Sequence, residues 1–574
     1  MNTLEHIDHV WSMYKLSGIS QSMLSNMFNH NNDSYISTQD ICNAFKIILF
    51  QFIADVRNLV SLKEQTEMFE KWSALIFDKK TSLLRSVKKR SGKMSINTKC
   101  QVFTPQKNAQ ELLNVIGYKN DLFGKKVAEN SCGDGSILKE IVERYIVDSL
   151  NNKISKDEIR TGLERDIWGA EIDNAHIVNC KLKLNEVAAL YGIIDVSWNI
   201  FEGDFLRKNI VHQFDFVIGN PPYITYKELN LEDRIFVRKS FETCAKGKFD
   251  YCYAFIEASL KSLKNTGKLA YLIPSNIFKN QFALDLRKYI LPFLTDIYDY
   301  SNQKLFTGKL TASAIIVCDI SNNSNSFKYH NISTNKTFTI SKKTLDEKWI
   351  FQKKEKKLEH IKLLRFGDYF HAAVCIATLL NDVFIIDHFV DNGEYVQVNE
   401  HKIEKTVLRN AVSPRSLNYE KKEYIIFPYY YFEDNLQRYD EEEFCKKFPL
   451  ATNYLRQFDK QLSKRRSDKG VKWFEYGRSQ ALMHLNQCKL LMSTLVTEKV
   501  KVSVLDKNTI PTSGIYIIKK QNSQDHVLSK AVDILSSDLF LDYVKNIGVI
   551  SNGNSFRISP KDINNFMFPA TLLY

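Results

Sequence analysis

The stretch Phe214-Asp215-Phe216-Val217-Ile218-Gly219-Asn220-Pro221-Pro222-Tyr223 decides the fold of this chain. An aromatic and β-branched run ends abruptly in Gly-Asn-Pro-Pro-Tyr. Continuous apolar residues of this length predict a strand buried on both faces. Two prolines, which cannot donate to a ladder, end it at once. Each proline fixes φ near about −65° and restricts the residue before it, so Asn220 and Pro221 have little freedom. Open α/β sheets bind ligands beyond the carboxyl ends of their strands, which is where this rigid loop falls. An amide carbonyl, a backbone carbonyl and an aromatic face held there suit a planar group bearing an NH2. A plain strand terminator needs neither the Asn before the prolines nor the Tyr after them.

Upstream, the pattern is strand, turn and helix, repeated. Val127-Ala128-Glu129 runs into Asn130-Ser131-Cys132-Gly133-Asp134-Gly135-Ser136, and a helix is expected from Ile137 to Tyr145. This is the first unit of a doubly wound, mostly parallel sheet of Rossmann-like type. The turn is neither Gly-x-Gly-x-x-Gly nor a P-loop. Gly133 and Gly135 allow close backbone approach, and Glu129 at the strand end suits a cationic ligand better than a pyrophosphate. A second strand, Ile167 to Ala170, ends in Glu171-Ile172, an acid placed to accept from ribose hydroxyls. The helical, charged insertion from Asp148 to Arg165 explains why this acid lies more than about 20 residues beyond the turn. A third strand leads through Phe201-Glu202-Gly203 to Asp204-Phe205, an acid for an exocyclic amine and a ring for a purine. Ahead of all three, Thr104-Pro105 reads as an N-cap followed by proline at the first helical position. Any one of these acids is more simply a helix cap; three successive strand ends followed by Asn-Pro-Pro-Tyr form a constellation.

In this order the segments resemble the γ-class of N6-adenine DNA methyltransferases over roughly residues 100–320. Thr104-Pro105 looks like that family's motif X, Glu129 to Gly135 motif I, Glu171-Ile172 motif II, Asp204-Phe205 motif III and Asn220 to Tyr223 motif IV. Phe249 to Leu263 and Gly267 to Ser275 resemble motifs V and VI, and Leu305 to Ala314 resembles motif VIII. Asn130 departs from the family's commoner proline after the acid. The resemblance implies S-adenosylmethionine as cofactor, S-adenosylhomocysteine as product and no metal. It implies a cofactor site of Thr104, Glu129, Ser131, Gly133, Gly135, Glu171, Ile172, Asp204, Phe205 and Pro222. Catalysis would fall to Asn220, Pro221, Pro222 and Tyr223, with Phe306 stacking on a flipped adenine in double-stranded DNA. The family's default role is modification in a restriction-modification system, with a separate cognate endonuclease as companion.

The rest of the chain fits that expectation. Of 574 residues, 44% are hydrophobic and 25% charged, ordinary for a globular protein, and the net charge of +13 favours a polyanionic partner. The ten cysteines are scattered singly, which points to a reducing compartment; with no signal pattern and no apolar run long enough to span a bilayer, a cytoplasmic protein is expected. Residues 1–98 contain no proline and two glycines and read as a helical module. Residues 99–325 would form the methyltransferase domain, and 326–574 an α+β target-recognition domain. Its Ala373 to Phe384 and Trp473 to Arg478 are similar to the family's recognition region. Lys464, Arg465, Arg466, Lys469 and Lys472 precede or abut the latter and suit phosphates. Lys227, Arg234, Arg238, Lys239, Lys246 and Lys248, after Tyr223, are expected to face the DNA backbone. Rival readings are an N4-cytosine, RNA or protein-glutamine amino-methyltransferase, or a catalytically inactive DNA-binding specificity component.

Overall fold

A computed structural model describes residues 104–301, 312–351, 361–520, 527–551 and 555–573. The module expected over residues 1–98 lies outside the described residues. After α1 (Gln106–Ile116), the chain forms β1 (Val127–Glu129), α2 (Ser136–Asn151), α3 (Lys156–Asp166), β2 (Ile167–Glu171), α4 (Asn174–Leu190), β3 (Asn199–Glu202) and β4 (Phe214–Gly219). There follow α5 (Leu231–Ser240), α6 (Tyr251–Ser262), β5 (Leu263–Pro274), α7 (Leu284–Ile290), β6 (Leu294–Asp299), β7 (Ser313–Asp319), β8 (Ser326–Asn331) and β9 (Lys336–Ser341). The nine strands make one mixed sheet in the order β3-β2-β1-β4-β5-β7-β6-β8-β9. The first five are mutually parallel, while β7 lies antiparallel between β5 and β6. The carboxyl ends of β4, β5 and β6 and the start of β7 therefore share one edge.

β7 is buried along almost its whole length, as a central strand must be. The outer hairpin is different: Phe327 and Tyr329 alternate inward, and Tyr329 stacks on Phe351 with ring centroids 4.3 Å apart. Trp349 and Phe351 belong to the same core as β4, β5 and α6. β8 and β9, beyond the boundary expected at residues 325 and 326, thus belong to this same sheet, because these aromatics bury against it.

Beyond residue 361, a four-stranded antiparallel sheet orders Phe370–Val374, Ile515–Lys519, Lys489–Met492 and Val502–Leu505 side by side. Strand alternation gives its two faces to two cores. Leu490, Met492, Ile515 and Ile517 pack with Phe366, Phe540 and Phe568, whereas Leu491, Tyr516 and Ile518 pack with Phe384, Phe474 and Tyr476. Among the described residues no helix is long and apolar enough to cross a membrane.

Candidate active site

β4 carries Asn220 to the carboxyl edge, and the Asn220 side chain is held from both ends. Nδ2 donates to Thr104 Oγ1 at 3.2 Å, and Oδ1 accepts from the Tyr223 hydroxyl at 2.5 Å. The same hydroxyl reaches the Leu272 carbonyl at 2.8 Å, tying the loop to β5. The network fixes which way the amide points. Thr104 does not cap α1 as expected: its hydroxyl is turned toward Asn220, and the helix starts at Gln106 with no side-chain cap. Ser131 Oγ donates to the Asn220 carbonyl at 3.3 Å, joining the glycine turn to the same loop. Pro221 is buried and Pro222 half-buried beside it. Phe306 lies outside the described residues.

The turn itself needs its glycines. Gly133 and Gly135 have φ of +51° and +82°, and a Cβ on Gly135 would meet Cys180 Sγ at 2.6 Å. Gly133 N–H donates to Glu171 Oε2 at 2.9 Å, so the turn and the end of β2 form one rim. The next side chain, Ile172, is 68% exposed, a large apolar group left bare beside an acid. Glu129 is 2% exposed, and its Oε2 accepts from Leu138 N–H at 3.0 Å at the start of α2. Burial, reinforced by Cys180, holds its carboxyl well above the usual range. Oε1 has no hydrogen-bond partner among the described residues. Asp204, raised by partial burial, accepts from Leu206 N–H at 2.9 Å and the Tyr251 hydroxyl at 3.3 Å. Phe205 is 2% exposed, with Trp168 and Phe255 around it at 5.9 and 6.2 Å, so its ring is committed to the core.

Asn130, which stands where the family more often has proline, is the hub of a buried network. Its Nδ2 donates to Ser259 Oγ at 2.7 Å on α6, and its Oδ1 accepts from the Tyr271 hydroxyl on β5. Ser259 and Tyr271 also bond each other at 2.7 Å. These partners lie 129 and 141 residues away, and nothing in the local sequence marks them. Asp250 was also missed. It caps α6 through Cys252 N–H at 3.2 Å and pairs across to Thr225, directly after the Asn-Pro-Pro-Tyr loop. Burial pushes its carboxyl up to about 6.

Several cations expected to meet DNA are instead structural. Arg465 donates to the carbonyls of Leu462, Thr378, Glu475 and Trp473 at 2.8–3.2 Å and lies over the Phe384 ring. Lys472 donates to the Tyr439 carbonyl at 2.6 Å. Fixed carbonyls of a tight corner recruit the nearest guanidinium and ammonium, leaving Lys464, Arg466 and Lys469 exposed. In α5, Arg234 and Arg238 both lie over the Tyr226 ring and donate to the carbonyls of Lys227 and Gly247. Lys227, Lys239, Lys246 and Lys248 remain exposed.

Residues 118–306, which span β1 to β6 and the loop after β4, match the family model of the Eco57I restriction-modification methylases. This segment of the chain is therefore similar to the methylases of restriction-modification systems. It lies within a wider similarity to the type II restriction enzyme and methyltransferase RM.Eco57I of Escherichia coli. The two are 25% identical over 346 residues, covering 53% of this chain and 34% of that protein. The type II methyltransferase M.PaeR7I of Pseudomonas aeruginosa is 28% identical over 203 residues, 33% of this chain and 34% of that protein. M.HincII of Haemophilus influenzae is 22% identical over 397 residues, 64% and 76% of the two chains. The chain thus spans about a third of the first two relatives. Among solved structures, the type IIL restriction-modification enzyme MmeI in complex with DNA aligns with a TM-score of 0.48 at 13% identity, over 80% of this chain and 64% of that one.

Proposed function

We propose that the chain is a site-specific DNA methyltransferase that methylates N6 of an adenine flipped out of duplex DNA, as the modification activity of a restriction-modification system. The observation that carries the reading is the Asn220 carboxamide, held by Thr104 and Tyr223 at a strand end next to the glycine turn. The donor set of that turn fits S-adenosylmethionine. Carboxylates end β1, β2 and follow β3, the Oε1 of buried Glu129, without a hydrogen-bond partner among the described residues, suits an ammonium, and Ile172 offers an apolar surface beside Glu171. When bound, this cofactor supplies an electrophilic methyl group on a sulfonium. Gly133 and Gly135 keep the turn low enough for a ligand, and Ser131 keeps it in register with Asn220.

The remaining work is positional. Adenine N6 is a poor nucleophile because its lone pair is delocalised into the ring. Asn220 Oδ1, which as an amide oxygen can accept two hydrogen bonds, and the Pro221 carbonyl take the two amino hydrogens and favour a pyramidal nitrogen. Their fixed dipoles stabilise the positive charge that develops there, so no strong base is needed before transfer. Flipping the base costs a few kcal/mol; stacking on Tyr223 offsets about 1–3 kcal/mol of it. In a restriction-modification system this methylation would be paired with a nuclease activity that cuts unmodified DNA, the pairing that the name of RM.Eco57I describes for that protein.

The test is sequencing of genomic DNA from a methylation-free host expressing the protein, with a read-out that separates N6-methyladenine from N4-methylcytosine. Methyladenine confined to one short motif is expected. Asn220→Ala should keep cofactor binding and lose the mark; an unchanged methylation rate in that variant overturns the mechanism, and N4-methylcytosine overturns the base.

A further inference from the structure

Strand β5 leaves the sheet next to the Asn220 loop and passes into a short turn, Ser275–Phe278, followed by Lys279. Ser275 N–H bonds to the Ala312 carbonyl at 2.9 Å, so this turn sits at the start of β7 on the same edge. The segment around Lys279 is rigidly held from within. Arg287, 2% exposed, donates Nη1 to the carbonyls of Ile277 at 2.6 Å and Asn280 at 2.8 Å, one on each side of Lys279, and Nη2 to the Glu347 carbonyl. Lys279 and Asn280 N–H groups both return to the Asn276 carbonyl, at 3.1 and 2.7 Å.

Within this clamp the Lys279 ammonium is half-buried and has no hydrogen-bond or ion-pair partner among the described residues. The acid nearest in influence, Asp299 at the end of β6, is engaged elsewhere. Its carboxylate accepts from the Tyr329 hydroxyl at 2.6 Å and from Ser301 N–H at 2.8 Å. Lys348, the neighbouring cation, is paired with Asp562 at 2.7 Å. Burial, only partly opposed by Asp299, pushes the Lys279 amine down to about 8. A partly desolvated cation with no direct ion-pair partner among the described residues is unfavourable in the free protein and is relieved by an anion brought to it.

The place selects the anion. β4, β5, β7 and β6 are consecutive in the sheet, and neighbouring strands lie about 4.8 Å apart. Lys279 therefore sits roughly 5–15 Å along the edge from the Asn220 loop. A nucleotide whose base entered that loop would carry its own and its neighbour's phosphates over this range. We propose that Lys279 is a dedicated contact to a backbone phosphate of the strand that carries the flipped base, a positioning contact preset by the Arg287 clamp. The inference rests on the DNA-methylating reading given above.

The experiment compares the full chain with Lys279→Met and Lys279→Arg. Binding of fluorescein-labelled duplexes, with and without the motif found by sequencing, is measured by anisotropy across about 50–300 mM KCl. Lys279→Met should lower the slope of log affinity against log salt by about one, equally on both duplexes, because one phosphate contact releases about 0.9 counterions. Affinity should fall roughly 5- to 10-fold at low salt, and Lys279→Arg should restore it. Amine-selective labelling at pH 8, read by peptide mass spectrometry, should modify Lys279 in the free wild-type protein and be blocked by the duplex. An unchanged salt slope in a Met variant with wild-type melting temperature, or labelling unaffected by DNA, overturns the contact. Either result leaves the methyltransferase reading intact so long as wild-type protein marks DNA. Absence of any DNA mark, with intact salt-dependent duplex binding, refutes the reading instead.

Discussion

Removing one oxygen from the site separates two roles that Tyr223 combines. Tyr223→Phe keeps the ring that would stack on the base and deletes the hydroxyl shared between Asn220 Oδ1, at 2.5 Å, and the Leu272 carbonyl, at 2.8 Å. One proton cannot fully serve both acceptors, so the loss is that of a single neutral hydrogen bond, about 0.5–1.5 kcal/mol. The Nδ2 end of the amide stays on Thr104, so the side chain loses one of two restraints and does not collapse. If that restraint serves only to aim the amide, the whole cost appears in the transition state. Turnover should then fall roughly 2- to 12-fold at about 1.36 kcal/mol per tenfold. Duplex affinity should not change, because the ring is intact. Tyr223→Ala should lose a further about 1–3 kcal/mol of stacking and weaken base flipping as well. The assay is transfer of radiolabelled methyl to a duplex under single-turnover conditions, with fluorescence of 2-aminopurine at the target position reporting flipping. Wild-type turnover in Tyr223→Phe, or equal loss of flipping in both variants, would refute the division of roles.

Two further outcomes follow from buried groups near the site. Asn130→Ala removes two buried hydrogen bonds, while Ser259 and Tyr271 keep each other; the cost should be about 2 kcal/mol, seen as a lower urea midpoint with unchanged slope. A destabilisation under about 0.5 kcal/mol would mean the network is not holding the turn. Asp250→Asn keeps a capping oxygen but removes a carboxyl that burial raises from an ordinary 3.8 to about 6. Because the folded value is raised, the stability this group contributes is complete below about pH 4 and is lost as pH rises through 6, up to about 3 kcal/mol. The variant should therefore gain on wild type at pH 8 and match it at pH 4; urea midpoints at the two pH values test this, and equal differences at both would contradict it.

How much of this was legible in the sequence depended on how local each signal is. Two prolines after an apolar run terminate a strand wherever it pairs, so the Asn220 loop was readable, as were the glycines whose positive φ the turn requires. The parallel units from β1 to β4 follow from strand–turn–helix order. What escaped was pairing at a distance: β7 entering antiparallel between β5 and β6, Thr104 serving Asn220 across 116 residues, and Asn130 meeting α6 and β5. Hydrophobic periodicity fixes which face is buried, not which strand lies beside it. The β8–β9 hairpin did carry a signal, since Phe327 and Tyr329 alternate with polar residues as on an edge. The basic run misled because composition does not tell a cation that holds carbonyls from one that faces solvent.

That last division of labour bears on how the surface of this corner can change. In the corner at residues 462–475, Arg465 acts as a keystone, and the exposed Lys464, Arg466 and Lys469 carry none of its scaffolding. Residues that shape the corner and residues that present charge are thus separable letters of one short word. Exchanging the exposed ones can alter the charge of the surface without unfolding it, so a library randomised at those three positions with Arg465 kept should stay folded. Such an arrangement lets sequence change revise the outside of this corner far faster than its inside.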